Sequence, residues 1–422
     1  EFTNTGKLEV FFRQKNILNL RQDFLHNGLP GRKLNAVYRN RNQNRSQNRN
    51  QNRNRNQNRS RNQGRSRNQG SNISKILYQV LGNETVSSKE WVIRQYDYEV
   101  QGGTVGKPLA GKNLDSVSDA CIIKPFPDSN RGFIVSNGIS ARYGAIDAYR
   151  MAASAIDEAV RNVISAGADL SRTALLDNFC LANPLKNQCI VDLVRSSQAC
   201  YDIAKIYGTP FISGKDSLNN EFTKPDGRRY AIPPTLLISA VSVIDDIDKT
   251  VTTDFKTPQS NVYILGITKD ELGGSVFSEI TGGRFRADVP DVEPRRARTL
   301  FISLSRAIKR GLVNSCHDCS DGGLAVSLLE MCFGGDLGVE IDLRKVPFEG
   351  KGANETILFS ESNSRFIVEV KPENVGEFEK VMSRCVFGCI GGTQESKRIV
   401  IRGFNSVVNE NLYCLKKSWQ RF

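Results

Sequence analysis

An α/β fold of two successive modules is what this 422-residue sequence predicts, on three observations. Apolar runs of strand length alternate with longer runs whose apolar residues recur every three to four positions, so strands and amphipathic helices share one chain. The alternation occurs twice, over about 71–256 and again over 257–403, without the short period of a repeat solenoid. No apolar run approaches the roughly 20 residues of a membrane-spanning helix. The longest is LLISAV at 236–241.

Taken in order, residues 1–38, with LRQDFLHNGLPGRKLNAVY, read as the end of a preceding domain. The chain opens on Glu1, without a signal-peptide pattern, and is expected to be a fragment or a processed start. Residues 39–70 hold ten arginines among Asn, Gln, Ser and Gly, with no acid and no apolar side chain. Such a segment buries too little to offset its ordering entropy, and a disordered linker is expected. In the first module, DACIIKP (119–125), GFIVS (132–136), TALLD (173–177), PFIS (210–213) and TLLISAVSVI (235–244) predict strands. Helices are predicted at 145–168 and 190–208, the second stopped by Gly208 and Pro210. In the second module, NVYILGIT, GVEIDL, RFIVEV and RIVIRG predict strands, and 295–311, 323–335 and 375–385 predict helices. Residues 404–422 read as a tail.

The formal charge of +13 belongs almost wholly to the arginine tract, because outside it 48 Lys+Arg face 45 Asp+Glu. The tract lacks aromatics for base stacking, so nucleic acid is an unlikely partner for the folded body. Ten scattered cysteines predict reduced thiols and a cytoplasmic protein. The lone CxxC, Cys316 to Cys319, has no second ligand pair for zinc and reads as buried thiols.

Several stretches hold side chains able to do chemistry. In AIDEAVRN (155–162), Ile156, Val160 and Val163 mark the core-facing stripe of a helix. Glu158 and Asn162, four apart, lie on the opposite side with their oxygens one turn above each other. Facing a cleft they are hard ligands of the kind Mg²⁺ accepts; facing water they are a solvated pair. Asp119, Asp177 and Asp216 each sit near the end of an apolar run, where scaffolds present functional groups and where Asp also forms turns. SGKDSLNNE (213–221) is not a P-loop, since five residues separate Gly208 from Gly214 and Asp216 stands where Ser or Thr belongs. Gly214 still frees backbone N–H groups, and Lys215 and Ser217 add a cation and a hydroxyl suited to a phosphate. HDCSDGGL (317–324) runs into a helix at Gly323, whose open N–H groups favour anions, while Asp318 and Asp321 suit a nucleotide's cation. A plain N-cap and tight turn fit the same residues. In FSESNSRF (359–366), Glu361 and Arg365 read as a structural salt bridge.

Together, YDYEVQGGTV (96–105), SDACIIKP, AIDEAVRN, LLDNFCLANP, SGKDSLNNE, HDCSDGGLAVSL and LFSESNSRF occur in an order that resembles the phosphoribosylformylglycinamidine synthase family, over about 71–403. The stretch resembles the second half of that family's synthetase region, and FLHNGLP (24–30) resembles the junction ending its first half. The resemblance implies an α+β, aminoimidazole-ribonucleotide-synthetase-like N-terminal domain followed by the matching C-terminal α/β sandwich. It implies pairing with a first half through the N-terminal domains, and ATP- and glutamine-dependent conversion of formylglycinamide ribonucleotide to the amidine in purine biosynthesis.

By the pattern of the larger members, Asp119, Glu158, Asn162 and Asp318 stand as Mg²⁺ ligands of a nucleotide site, with Ser118 and Ser320 beside the nucleotide. By the pattern of the smaller members, Asp177 and Gly214 touch ATP and Ser217 the substrate. There the residue after the glycine is an Mg²⁺-binding asparagine; here it is Lys215. The only histidines, His26 and His317, lie outside the family's catalytic-histidine context, so no catalytic residue is assigned. The expected cofactors are ATP and Mg²⁺, and the expected partners are the first half, a glutaminase and formylglycinamide ribonucleotide. Three other readings remain: a non-catalytic pairing half, an RNA-associated protein acting through the tract, and another enzyme of the same fold, such as a selenophosphate or thiamine-phosphate kinase relative, against which SGKDSLNNE and LLDNF speak.

Overall fold

The computed structural model describes residues 4–28, 33–37, 70–283, 289–350, 354–404 and 407–421. The expectation of disorder for 39–70 lies, apart from Gly70, outside them. The chain enters through a largely exposed hairpin, β1 (Lys7–Phe12) and β2 (Lys15–Arg21), followed by helix α1 (Gln22–Asn27) and helix α2 (Gly70–Leu81). The first module is a six-stranded sheet of β3 (Thr104–Gly106), β4 (Cys121–Ile123), β5 (Gly132–Ile139), β6 (Thr173–Cys180), β7 (Phe211–Ser217) and β8 (Thr235–Ile244). Their spatial order is β3-β4-β5-β8-β6-β7, antiparallel except for the parallel pair β6–β7 at one edge.

Helices α3 (Ala148–Ser165) and α4 (Asn187–Tyr207) connect these strands. Asp147 starts α3 by accepting from the N–H groups of Tyr149 (2.9 Å) and Arg150 (3.1 Å), which satisfies two of the helix's open donors. Gly208 ends α4 at φ +78°, a left-handed cap that glycine adopts without strain. Helix α3 sits directly on β5 because residue 138 is glycine: a Cβ there would lie 2.2 Å from the Ala155 carbonyl oxygen and 2.6 Å from the Ala159 nitrogen.

The second module is a seven-stranded sheet with helices on both faces. Its strands are β9 (Asn261–Leu265), β10 (Ser315–Asp318), β11 (Gly338–Asp342), β12 (Phe366–Val370), β13 (Phe387–Gln394), β14 (Arg398–Arg402) and β15 (Val407–Asn411). They lie in the order β10-β12-β9-β13-β11-β14-β15. The helices are α5 (Pro294–Lys309), α6 (Gly323–Gly335), α7 (Val375–Met382) and α8 (Leu412–Trp419). Strand periodicity sorts the two faces: Tyr263, Leu265, Phe366 and Val368 join one core, Val262, Ile264 and Ile367 the other. The first core also holds Ile134, Ile156, Val160 and Ile238, so it runs without a break from the first sheet through α3 into the second module. That explains why α3 has no solvated side. Almost every side chain in it is buried, where the sequence pattern predicted one apolar stripe.

Two boundaries differ from the sequence reading. Residues 407–419 are not a tail: β15 extends the sheet beside β14, and Leu412, Leu415 and Trp419 are buried. Their spacing of three and four is a helical stripe, but too short to register without the surface it covers. Helix α2 packs on α8 and β15 of the second module rather than on the first. Among the described residues, no helix is long and apolar enough to cross a membrane.

Phe301 of α5 is fully buried and meets Tyr207 of α4 and Phe366 of β12 edge-on, at 5.4 and 5.8 Å between centroids. Phe301→Ala should therefore cost about 3–5 kcal/mol in urea unfolding, and it should shift both modules in a single transition.

Candidate metal and nucleotide site

Two acids from different modules meet where the modules join. Asp119 lies in the turn before β4, and Asp318 ends β10. The Asp318 backbone N–H donates to Asp119 Oδ2 (3.0 Å), and His317 Nδ1 lies 2.6 Å from Asp119 Oδ1. One ligand atom from each of Asp119, His317 and Asp318 falls within 4.8 Å of the others. His317 is not an open ligand, however, because its Nε2 is already bound to Glu330 Oε2 at 3.1 Å. Burial drives the imidazole's pKa down, but the flanking Asp119 and Glu330 carboxylates outweigh it and hold it well above the ordinary value. Burial and the Asp119 charge push the Asp318 carboxyl up, opposed by Arg161 and His317.

Arg161, in α3, supplies the balancing cation. Its guanidinium reaches Asp318 Oδ2 from Nε (3.2 Å) and from a terminal nitrogen (3.1 Å), donates to Ser320 Oγ (2.9 Å), and is paired with Asp157 one turn back. Ser320 Oγ donates to Asp318. Tyr207 (2.5 Å) and Ser364 (2.7 Å) donate their hydroxyls to Asp157. The spacing of Asp157 and Arg161 was legible as a helical pair; nothing local announces a partner 157 residues away.

Glu158 and Asn162 both reach the end of β5. Glu158 Oε2 accepts from the Ile139 N–H (2.8 Å), and Asn162 Nδ2 donates to the Asn137 carbonyl (3.0 Å). Burial pushes the Glu158 carboxyl up to about 8; Arg161 opposes the shift, and the Asp318 and Asp321 charges add to it. Asn162 is 9% exposed, and its Oδ1 has no hydrogen-bond partner among the described residues. An orphaned amide oxygen one helical turn from Glu158, whose carboxyl the Asp318 charge helps to raise, fits a hard divalent cation with oxygen ligands.

The remaining candidates form a second cluster. In the β6–β7 pair, Gly214 stands opposite Asp177, and a Cβ at 214 would lie 2.3 Å from Asp177 Oδ1, so only glycine lets the strands close there. Burial and the Asp216 charge raise the Asp177 carboxyl, and a backbone hydrogen bond from Lys215 opposes them. The Lys215 ammonium is hydrogen-bonded to Ser217 Oγ. Asp177, Ile238 and Gly138 share a cross-strand row, which puts this cluster two strands, roughly 10 Å, from the β5 position under Glu158. No hydrogen bond or ion pair joins the clusters among the described residues. Ser118, beside Asp119, is tied to the Pro108 carbonyl through its N–H (3.2 Å).

The expected Glu361–Arg365 salt bridge does not form. Arg365 is wholly buried and donates to the carbonyls of Ser360 (2.6 Å) and Ser362 (2.8 Å) and to Thr268 Oγ1 (2.9 Å). Glu361 turns the other way and accepts from the N–H groups of Gly322 and Val276 (both 2.9 Å) and from the Tyr143 hydroxyl (2.7 Å). In a turn, spacing of four does not place two side chains together as it does in a helix. Burial, reinforced by Asp321, pushes the Glu361 carboxyl from 4.5 up to about 7. The folded chain therefore keeps a proton that the unfolded chain releases, so stability falls as pH rises from 4.5 to 7 and levels off above. Glu361→Gln should remove this component from pH-dependent urea curves, leaving the wild type falling relative to the variant at no more than about 1.4 kcal/mol per pH unit.

Comparison with known proteins places these residues in a family. The model of the AIR synthase related protein N-terminal domain matches residues 117–244, and that of the C-terminal domain matches 259–403. The phosphoribosylformylglycinamidine synthase subunit PurL of Thermococcus sibiricus is 33% identical over 345 residues, which are 82% of this chain and 45% of that protein. The PurL of Methanocaldococcus jannaschii is 30% identical over 351 residues, 82% of this chain and 46% of its own. The chain thus spans about half the length of the curated relatives it matches. Among solved structures, T. maritima PurL complexed with FGAR superposes with a TM-score of 0.63 at 19% identity, covering 82% of this chain and 53% of that one. T. maritima PurL complexed with ATP gives 0.57 at 18%, covering 82% and 52%. With both domain models matched in order and the expected fold present, this chain belongs to the AIR synthase related family, and over four-fifths of its length it is similar to PurL.

Proposed function

We propose that this chain supplies a magnesium–nucleotide site and one half of the paired catalytic centre of a phosphoribosylformylglycinamidine synthase. In this reading it works in the cytoplasm with a first synthetase half and a glutaminase. Together they convert formylglycinamide ribonucleotide to its amidine at the expense of ATP and glutamine. The observation that carries the reading is the meeting of Asp119 and Asp318, drawn from separate modules, together with the unpartnered Asn162 oxygen on α3, the helix whose Arg161 holds Asp318. The PurL relatives, and the T. maritima PurL complexes with FGAR and ATP, support the substrate and nucleotide assignments.

Asp119, Asp318, Glu158 and Asn162 would hold the Mg²⁺, which when bound neutralises charge on a nucleotide's phosphates. The chain's own groups do the rest. Arg161 holds Asp318 Oδ2 while Asp119 holds the Asp318 backbone N–H, and Ser320 brings a hydroxyl to the same carboxylate oxygen. At the second cluster, Gly214 allows close backbone approach, while Lys215 and Ser217 offer a cation and a hydroxyl to the substrate. Pairing has its own support in the first sheet, whose outer face carries no helix among the described residues. The cross-strand pairs Val135–Val241, Phe133–Val243 and Ile139–Leu237 point outward there, and Ile139 and Val243 remain 47% and 45% exposed. An apolar sheet face of this kind is a surface for a second sheet.

Titrating the full chain with ADP should show binding that requires Mg²⁺. Asp318→Asn should weaken it at least about tenfold, about 1.4 kcal/mol, while circular dichroism and melting show a folded protein. Binding that is absent, or indifferent to both Mg²⁺ and the substitution, leaves the non-catalytic pairing reading in its place.

A further inference from the structure

Trp419 lies beyond residue 403, where the family match ends, yet it is hydrogen-bonded into the candidate site. Its indole N–H donates to Glu330 Oε1 (3.2 Å) and to the Val86 carbonyl (3.0 Å). The other oxygen of Glu330 meets His317 Nε2 at 3.1 Å, and His317 Nδ1 meets Asp119 Oδ1 at 2.6 Å. The chain of contacts is dry: Trp419 is 0%, His317 4% and Glu330 8% exposed. It joins the C-terminal helix α8, helix α6 and strand β10 to the Asp119 turn of the other module.

Each link removes a freedom from the next. A carboxylate on a helix swings about its side-chain torsions unless both oxygens are held, and the indole holds the one that His317 does not. An imidazole bonded at both nitrogens cannot turn over. Asp119 is then fixed at Oδ1 by His317 and at Oδ2 by the Asp318 N–H, which leaves its remaining lone pairs aimed in one direction. Outer partners of this kind orient ligands and tune affinity in metal sites.

We infer that Trp419 is a positioning residue for the candidate metal site, acting through Glu330 and His317 to set the orientation of the Asp119 carboxylate. The inference deepens the proposed function and rests on it for its metal arm; the side-chain relay stands separately.

The chain has only two histidines, so full-length protein labelled with ¹⁵N-histidine gives two imidazoles, and His26→Gln assigns the remaining one to His317. Trp419→Phe keeps an aromatic ring in the pocket and deletes the N–H. Leu415→Ala removes fully buried packing from the same helix without touching the relay. Trp419→Phe should move the His317 ring nitrogen resonances and weaken Mn²⁺ binding, followed by electron paramagnetic resonance, about tenfold. Leu415→Ala should lower the melting temperature and leave both readouts at wild-type values. If either readout is unchanged in Trp419→Phe, or if Leu415→Ala reproduces both changes, the inference is overturned. Should Trp419→Phe not fold, Trp419→Met, which also lacks a donor, is read in the same way. If the wild type takes up no Mn²⁺, the metal reading falls, and the His317 resonances alone decide the relay.

Discussion

A guanidinium taken out of water loses several kcal/mol of hydration, which carboxylates or other acceptors must replace. Arg161, 2% exposed, is such a group, and the architecture around the site follows from how it is compensated. Asp157 pairs with it from the same helix and Asp318 from the other module. Asp157 in turn collects Tyr207 from α4 and both the N–H and the hydroxyl of Ser364 from the loop before β12. One charge network thereby fixes the relative positions of two helices, a strand and a loop, and the apolar core fills in around it. Nonpolar packing alone tolerates sliding; ion pairs with this geometry do not.

The two clusters differ physically in ways that match different duties. Around Asp119 and Asp318, both Asp119 oxygens and Asp318 Oδ2 are hydrogen-bonded and the groups are nearly dry, which suits a fixed geometry. Around Gly214 the strand lies at the sheet edge with most of its side chains exposed, so its environment is finished only when something covers it. It sits in the same sheet as the uncovered apolar face, and a partner placed there would alter the dielectric around Asp177, Lys215 and Ser217.

What the sequence revealed was whatever depended on local spacing. Helix α6 spans 323–335 as expected, Gly208 closes α4, and the near-continuous apolar runs NVYIL and FIVEV are strands buried on both faces. The acids at strand ends were visible for the same reason. Compensation of those acids was not, because Arg161–Asp318, His317–Asp119 and Trp419–Glu330 join residues far apart in the chain. His317 looked like the middle of an idle CxxC. The thiols of Cys316 and Cys319 are indeed buried and pushed up, and the histidine between them turns out to link two acids. The helical stripe at Leu412, Leu415 and Trp419 was too brief to outweigh the polar residues beside it.

The continuous core through α3 carries a consequence for how such a polypeptide can be divided. Severing it between residues 244 and 261 would lay bare Ile156, Val160, Phe301 and Phe366 on both products, with Arg161 and Asp318 on opposite pieces. Each fragment would expose apolar surface that the other now covers. A break in the polypeptide is therefore better placed outside the two-module unit than between its modules.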